Sequence, residues 1–181
     1  VEDNFRGVEL QRIRLAVEAG AELRVHGHAK EALEMARLVV DELPPNPARD
    51  GWTRWYLATL MMMAERPDDA LALSMDLASE QPNGVLYVGL HGAVAALLGD
   101  EQTARHLSQR LEELADPQLF GIDHYVRAWV AAGLGDREEA VEHLHAALRA
   151  GFPFNLTVHR NPFLVPLWGF EPFDEFLQPN G

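Results

Sequence analysis

The stretch Gly135-Asp136-Arg137-Glu138-Glu139-Ala140 puts a helix stop beside a helix start. The glycine can take the left-handed conformation that closes one helix, and the aspartate opens the next. The two glutamates sit in a first turn, where the helix dipole favours negative charge. Three earlier blocks are built alike: Gly99-Asp100-Glu101-Gln102-Thr103-Ala104, Glu65-Arg66-Pro67-Asp68-Asp69-Ala70 and Gly27-His28-Ala29-Lys30-Glu31-Ala32. Their final alanines, Ala32, Ala70, Ala104 and Ala140, are 38, 34 and 36 residues apart. Twelve residues before each stands another very small residue, Gly20, Ala58, Gly92 and Ala128, in the same rhythm. A proline follows each block, Pro44, Pro82, Pro117 and Pro153, where it cannot continue a helix. Three columns in step mark an array of repeated units.

Within a unit the apolar residues keep helical spacing, as in Leu134, Val141, Leu144 and Leu148, while Glu138, Glu139, Glu142 and His145 fall on other faces. Each unit therefore predicts a hairpin of two amphipathic helices, and the fold class is all-α. Small residues are needed where paired helices approach most closely. Gly20, Ala58, Gly92 and Ala128 are accordingly expected to face Ala32, Ala70, Ala104 and Ala140. Met61, three residues beyond Ala58, is expected in the core.

With 181 residues, 48% apolar and 24% charged, one domain can bury a core, which excludes disorder for the bulk of the chain. Fifteen Lys+Arg against 28 Asp+Glu give a net charge of -13, with Lys30 the sole lysine, so no basic surface exists to neutralise nucleic-acid phosphates. The absence of cysteine excludes a disulfide framework, a zinc–thiolate cage and a thiol nucleophile, and fits a reducing, cytoplasmic setting. No apolar stretch approaches the roughly 20 residues a membrane helix needs, so no membrane partner is expected. The first residue is Val and no signal segment follows it, which predicts a piece of a longer protein.

The residues able to do chemistry are not arranged for it. His143 and His145, two apart on a helix, point about 200° from each other and cannot clasp one ion, and no His-Glu-x-x-His spacing occurs. Ser74 and Ser108 share the repeat position of Ala36 and read as packing residues; Ser79 is the remaining serine, and no nucleophile-elbow motif is present. Gly133-Leu134-Gly135 lacks the strand and third glycine of a dinucleotide loop. Asn155-Leu156-Thr157 is a formal glycosylation sequon without a secretory context. No catalytic residue, metal ligand or cofactor is expected.

A unit of this length, with two helices, paired small positions and a terminal proline, resembles the tetratricopeptide repeat. The resemblance covers repeats at about residues 8–44, 51–82, 85–117 and 121–153, within a single domain spanning 1–181. It departs from the family where a large aromatic is usual early in the first helix: Ala16, Arg54, Val88 and His124 stand there, with Trp55 one position late. The family implies a right-handed α-solenoid with an inner groove lined by the first helix of each hairpin. The matching positions are Arg14, Val17, Ala21 and Arg24, then Trp52, Trp55, Thr59 and Met62, then Leu86, Gly89, Ala93 and Ala96, and last Ile122, Tyr125, Trp129 and Ala132. Residues 154–181 are expected as an aromatic cap. The run from Asn161 to Pro179 looks like the closing segment of repeat regions in large bacterial signalling proteins, and the aromatic tail from Phe152 to Phe176 can cover the apolar face left by the last hairpin.

Trp, Tyr and Met on an exposed strip have the composition of binding hot spots, and small residues at Gly89, Ala93 and Ala96 would leave room beside them. The expected function is a non-enzymatic interaction module, the scaffolding or sensing arm of a bacterial regulatory protein, taking a neutral to basic protein or peptide with apolar anchors. The alternative is a homo-oligomerisation module, such as a homodimer, whose groove is filled by its own tail or by a second copy.

Overall fold

The computed structural model describes residues 2–44 and 49–178, with side chains from residue 7 onward except those of Leu156 and Thr157. Val1 and Pro179, and with Pro179 the end of the expected cap, lie outside the described residues. So does the side chain of the sequon's threonine. Among the described residues every regular element is helical and there is no strand. The helices are α1 (Glu2–Val25), α2 (Ala29–Asp41), α3 (Gly51–Met63), α4 (Pro67–Glu80), α5 (Val85–Leu97), α6 (Glu101–Glu113), α7 (Ile122–Leu134), α8 (Arg137–Arg149), α9 (Leu156–His159) and α10 (Glu171–Phe176). Two 3₁₀ segments, Pro117–Leu119 and Pro162–Leu167, join α6 to α7 and α9 to α10.

The chain divides into two compact units, one running to Leu77 and the other beginning at Ala78. In the first, α1 packs on α2 and α3. Ile13, Ala16, Val17, Val39, Val40, Leu57, Leu60 and Met63 form its core, with Leu43, Tyr56, Met61 and Leu73 packed against it. The methionine run thus divides differently from the expectation: Met63 is the fully buried one and Met61 only partly so. In the second unit α5 packs on α6 and α7, and α7 also packs on α6, α8 and the Pro162–Leu167 segment, while α10 packs on α8.

Each helix-stop block folds as its chemistry demands. Gly27, Gly99 and Gly135 take positive φ of 84°, 80° and 83°, and Glu65, at the equivalent place, takes 57°. At every one of these turns the next residue's N–H reaches five residues back: His28 to the Leu23 carbonyl, Arg66 to Met61, Asp100 to Ala95 and Asp136 to Ala131, at 2.8, 2.9, 3.0 and 3.0 Å. This is the Schellman closure, which satisfies carbonyls a helix end leaves orphaned. Glu65 adopts it without glycine's freedom, and its carboxylate accepts from Arg37 Nη2 at 2.5 Å.

The eight small residues are all buried: Ala32, Ala58, Ala70, Ala104, Ala128 and Ala140 at 0% exposure, and Gly20 and Gly92 likewise buried. Their neighbours are broader than the paired column alone. A Cβ on Gly20 would meet Met63 Cε at 2.6 Å and Met35 Cε at 3.2 Å, with the Ala32 carbonyl 4.0 Å away. One on Gly92 would lie 2.9 Å from Val130 Cγ2 and 3.4 Å from Leu107 Cβ. The small positions in α5 therefore serve its approach to α7 as well as to α6.

Candidate interaction surface

In the first unit α3 opens on Asp50, whose carboxylate accepts from the Thr53 backbone N–H and from the Thr53 hydroxyl, both at 2.9 Å. Burial works to raise that carboxyl, yet the hydrogen bonds from Thr53 and the Trp52 backbone hold it below its ordinary value. The cap fixes the first turn of α3 and so the place of Trp52, which is 49% exposed. Trp52 meets Trp55 edge-on with ring centroids 6.3 Å apart, and Trp55 meets Tyr56 edge-on at 5.0 Å. Met62 is half-buried one turn from Thr59, which is itself buried and donates its hydroxyl proton to the Trp55 carbonyl at 3.1 Å.

The other first-unit positions split by chemistry. Arg14 is exposed and sits 3.7 Å from Glu18, whereas Arg24 is half-buried and donates to the Met63 carbonyl at 3.4 Å. Burial raises the Tyr56 phenol above its ordinary value, with the positive charge of Arg14 acting against it. Val17 and Ala21, also matched to groove positions, are core residues at 8% and 4% exposure. Their helix turns them inward.

The second unit answers the question of the tail for its own residues. Tyr125 and Trp129 are 5% and 2% exposed and pack edge-on with centroids 5.0 Å apart. Phe152 stacks on Tyr125 at 4.2 Å, Phe163 stacks on Trp129 at 5.5 Å, and Asn161 Nδ2 donates to the Tyr125 hydroxyl at 2.8 Å. Asn161 also caps the Pro162–Leu167 segment by accepting from the Phe163 N–H at 2.8 Å, so one residue both starts that turn and ties it to α7. These two aromatics are covered by the chain's own tail rather than open to a partner. Leu86 and Ile122 are half-buried, while Gly89, Ala93, Ala96 and Ala132 are buried. The room expected beside Gly89, Ala93 and Ala96 is filled by α7: a Cβ on Gly89 would lie 2.5 Å from Val126 Cβ, and one on Gly133 2.8 Å from Ala96 Cβ and 3.4 Å from the Ala93 carbonyl.

One juxtaposition has no counterpart in the sequence reading. His124 and His143, nineteen residues apart on α7 and α8, bring their Nδ1 atoms within 3.4 Å. His143 is largely buried, and it is held neutral down to a pKa of about 4 by that burial, by the charge of Arg127 and by His124. His145, by contrast, packs edge-on against Phe176 with centroids 5.0 Å apart. The pair was hidden because spacing along one helix says nothing about which residue a second helix places opposite. One signal was available: His124 stands where the tetratricopeptide resemblance leads to the expectation of a large aromatic. Comparison of the chain with family models, with curated proteins and with solved structures finds no match.

Proposed function

We propose that the chain is a non-enzymatic interaction module that binds a protein or peptide through the α3 surface of its first unit. The finer reading of the fold is a right-handed α-solenoid of four tetratricopeptide-like hairpins closed by an aromatic cap. Its support is the buried small-residue columns and the recurrence of one helix closure at Gly27, Glu65, Gly99 and Gly135. The observation that carries the function is Trp52, a half-exposed indole in ring contact with Trp55, with Tyr56 next in the chain of rings. A large exposed aromatic beside partly covered ones gives a partner apolar area at small entropic cost. Arg14 and Arg24 flank the reading with positive charge, but the net charge of -13 favours neutral or basic partners at long range. The role as a cytoplasmic arm of a bacterial signalling protein rests on the resemblance of the tail.

The test is selection of peptides from a random display library on the purified chain, followed by affinity measurement. Trp52→Ala and Trp55→Ala should each weaken binding of the selected peptides by about 30-fold, the mark of a hot spot worth about 2 kcal/mol. Trp168→Ala should not. Peptides that bind all variants alike refute the reading. The tail over Tyr125 and Trp129 favours a second reading, in which aromatic surface in this chain is self-filled and the module assembles with copies of itself. Light scattering decides that one, since a concentration-stable dimer that Trp55→Ala dissolves would establish it.

A further inference from the structure

We propose that His124 and His143 form a two-nitrogen binding site for one divalent transition-metal ion of the zinc or nickel type, clamping α7 to α8. The first argument is the bite. Two nitrogens each about 2.0–2.1 Å from a tetrahedral ion lie about 3.4 Å apart, and the two Nδ1 atoms are 3.4 Å apart as they stand. Neither helix has to move to admit the ion.

The second argument is the outer side of each ring. His143 Nε2 is 3.6 Å from Glu139 Oε1, and His124 Nε2 is 4.0 Å from Asp123 Oδ2. At these separations neither carboxylate is hydrogen-bonded to its ring, and each places negative charge behind the pair, which favours a bound cation. Without an ion one Nδ1–H can donate to the other Nδ1, and an ion replaces that proton by accepting both lone pairs. Imidazole nitrogen selects the borderline transition metals over calcium and magnesium, which take oxygen.

The site is an open one. Among the described residues no group of three or more His, Cys, Asp and Glu side chains is placed to hold an ion, so water completes the coordination. His124 is a third exposed on its side chain and gives the ion a way in. Arg127 faces His143 with an opposing charge, and Glu112, 3.5 Å from its Nη2, offsets that charge. Asp123 and Glu139 leave the surroundings net negative.

The experiment uses the whole chain stripped with a chelator and titrated with zinc chloride or nickel chloride alone, followed by calorimetry and by histidine ring signals in NMR. One saturable equivalent should bind, with the ring protons of His124 and His143 shifting first. At a hundred-fold excess over Kd the melting temperature should rise by roughly 5–10 °C. His124→Gln and His143→Gln should each abolish the tight equivalent, whereas His26→Gln, in an exposed turn, should leave it intact. Circular dichroism checks that the His124→Gln variant folds. Absence of a saturable equivalent, or its survival in both variants, overturns the proposal.

Discussion

Gly89→Ala sets two well-characterised effects against each other, and the structure decides which prevails. Gly89 lies inside α5, where alanine is favoured over glycine by about 1 kcal/mol from backbone freedom alone. The added Cβ, however, would stand 2.5 Å from Val126 Cβ, 2.8 Å from its Cγ2 and 3.1 Å from its Cγ1. Carbon atoms prefer about 3.5–4.0 Å. Rotation of Val126 relieves the methyl contacts but not the one to its Cβ, which the α7 backbone fixes. The helices must therefore separate by about 1 Å, loosening the neighbouring contacts of Gly92 with Val130 and of Gly133 with Ala96. Overpacking of this kind costs about 1–3 kcal/mol, and after the gain in helix propensity a net loss of up to about 2 kcal/mol is expected. For a chain of this size that is a fall in melting temperature of up to about 8 °C. The companion variant Gly7→Ala, also helical but with nothing within 4 Å of the new atom, should move the other way by up to about 1 kcal/mol. Differential scanning calorimetry reads both. If Gly89→Ala melts above the unaltered chain, as Gly7→Ala should, α5 and α7 do not approach as described.

Three further outcomes follow from separate parts of the molecule. Phe163→Ala removes a ring that is 1% exposed and stacked on Trp129, so a loss of about 3–5 kcal/mol and a red shift of tryptophan emission are expected; an unchanged melting curve would sink the cap assignment. Asp50→Ala deletes the α3 cap at about 1 kcal/mol, and because the carboxyl is held below its ordinary value this contribution is present at neutral pH and lost as the pH falls through the folded-state pKa, which urea titrations across acid pH check. In chelator-containing buffer His143, with a folded-state pKa of about 4 against about 6.5 unfolded, binds its proton more weakly in the native chain; stability should be full above pH 6.5, decline toward pH 4 by about 3 kcal/mol and then level off, and His143→Gln should flatten that slope relative to the unaltered chain.

What the sequence disclosed is what is local or periodic. The helix closures at Gly27, Gly99 and Gly135 are written in a few adjacent residues, and the burial of Ala104 or Ala140 follows from a period that any packed helix pair must respect. Glu65 escaped because its left-handed turn is imposed by the hydrogen bonds of the Arg66 and Glu65 amides to Met61 and Met62, not by its own preference. The groove positions were legible as a face of each helix but not as open or closed. Gly89 and Ala93 lie on the expected face of α5, yet α7 takes the space in front of them. The tail was harder still. Phe152 and Phe163 sit among prolines with no period, so nothing along the chain showed that they would stack on Tyr125 and Trp129.

The element that bears most on the proposed function is α7, because its apolar faces are taken up within its own unit. Val126 and Val130 meet Gly89 and Gly92 of α5, His124 meets His143 of α8, and Tyr125 and Trp129 meet Phe152 and Phe163 of the tail. Eight of its thirteen residues are buried, the two groove aromatics among them. A partner reaching Tyr125 or Trp129 would have to expel rings that already stack on them, at a cost comparable to the loss expected for Phe163→Ala. The half-exposed Trp52 of α3 carries no such cost, since its outer surface already faces solvent. The energetics of the second unit are thus the reason the proposed binding is placed on the first, and a selected peptide whose affinity depended on Trp129 with Phe163 left in place would contradict that order.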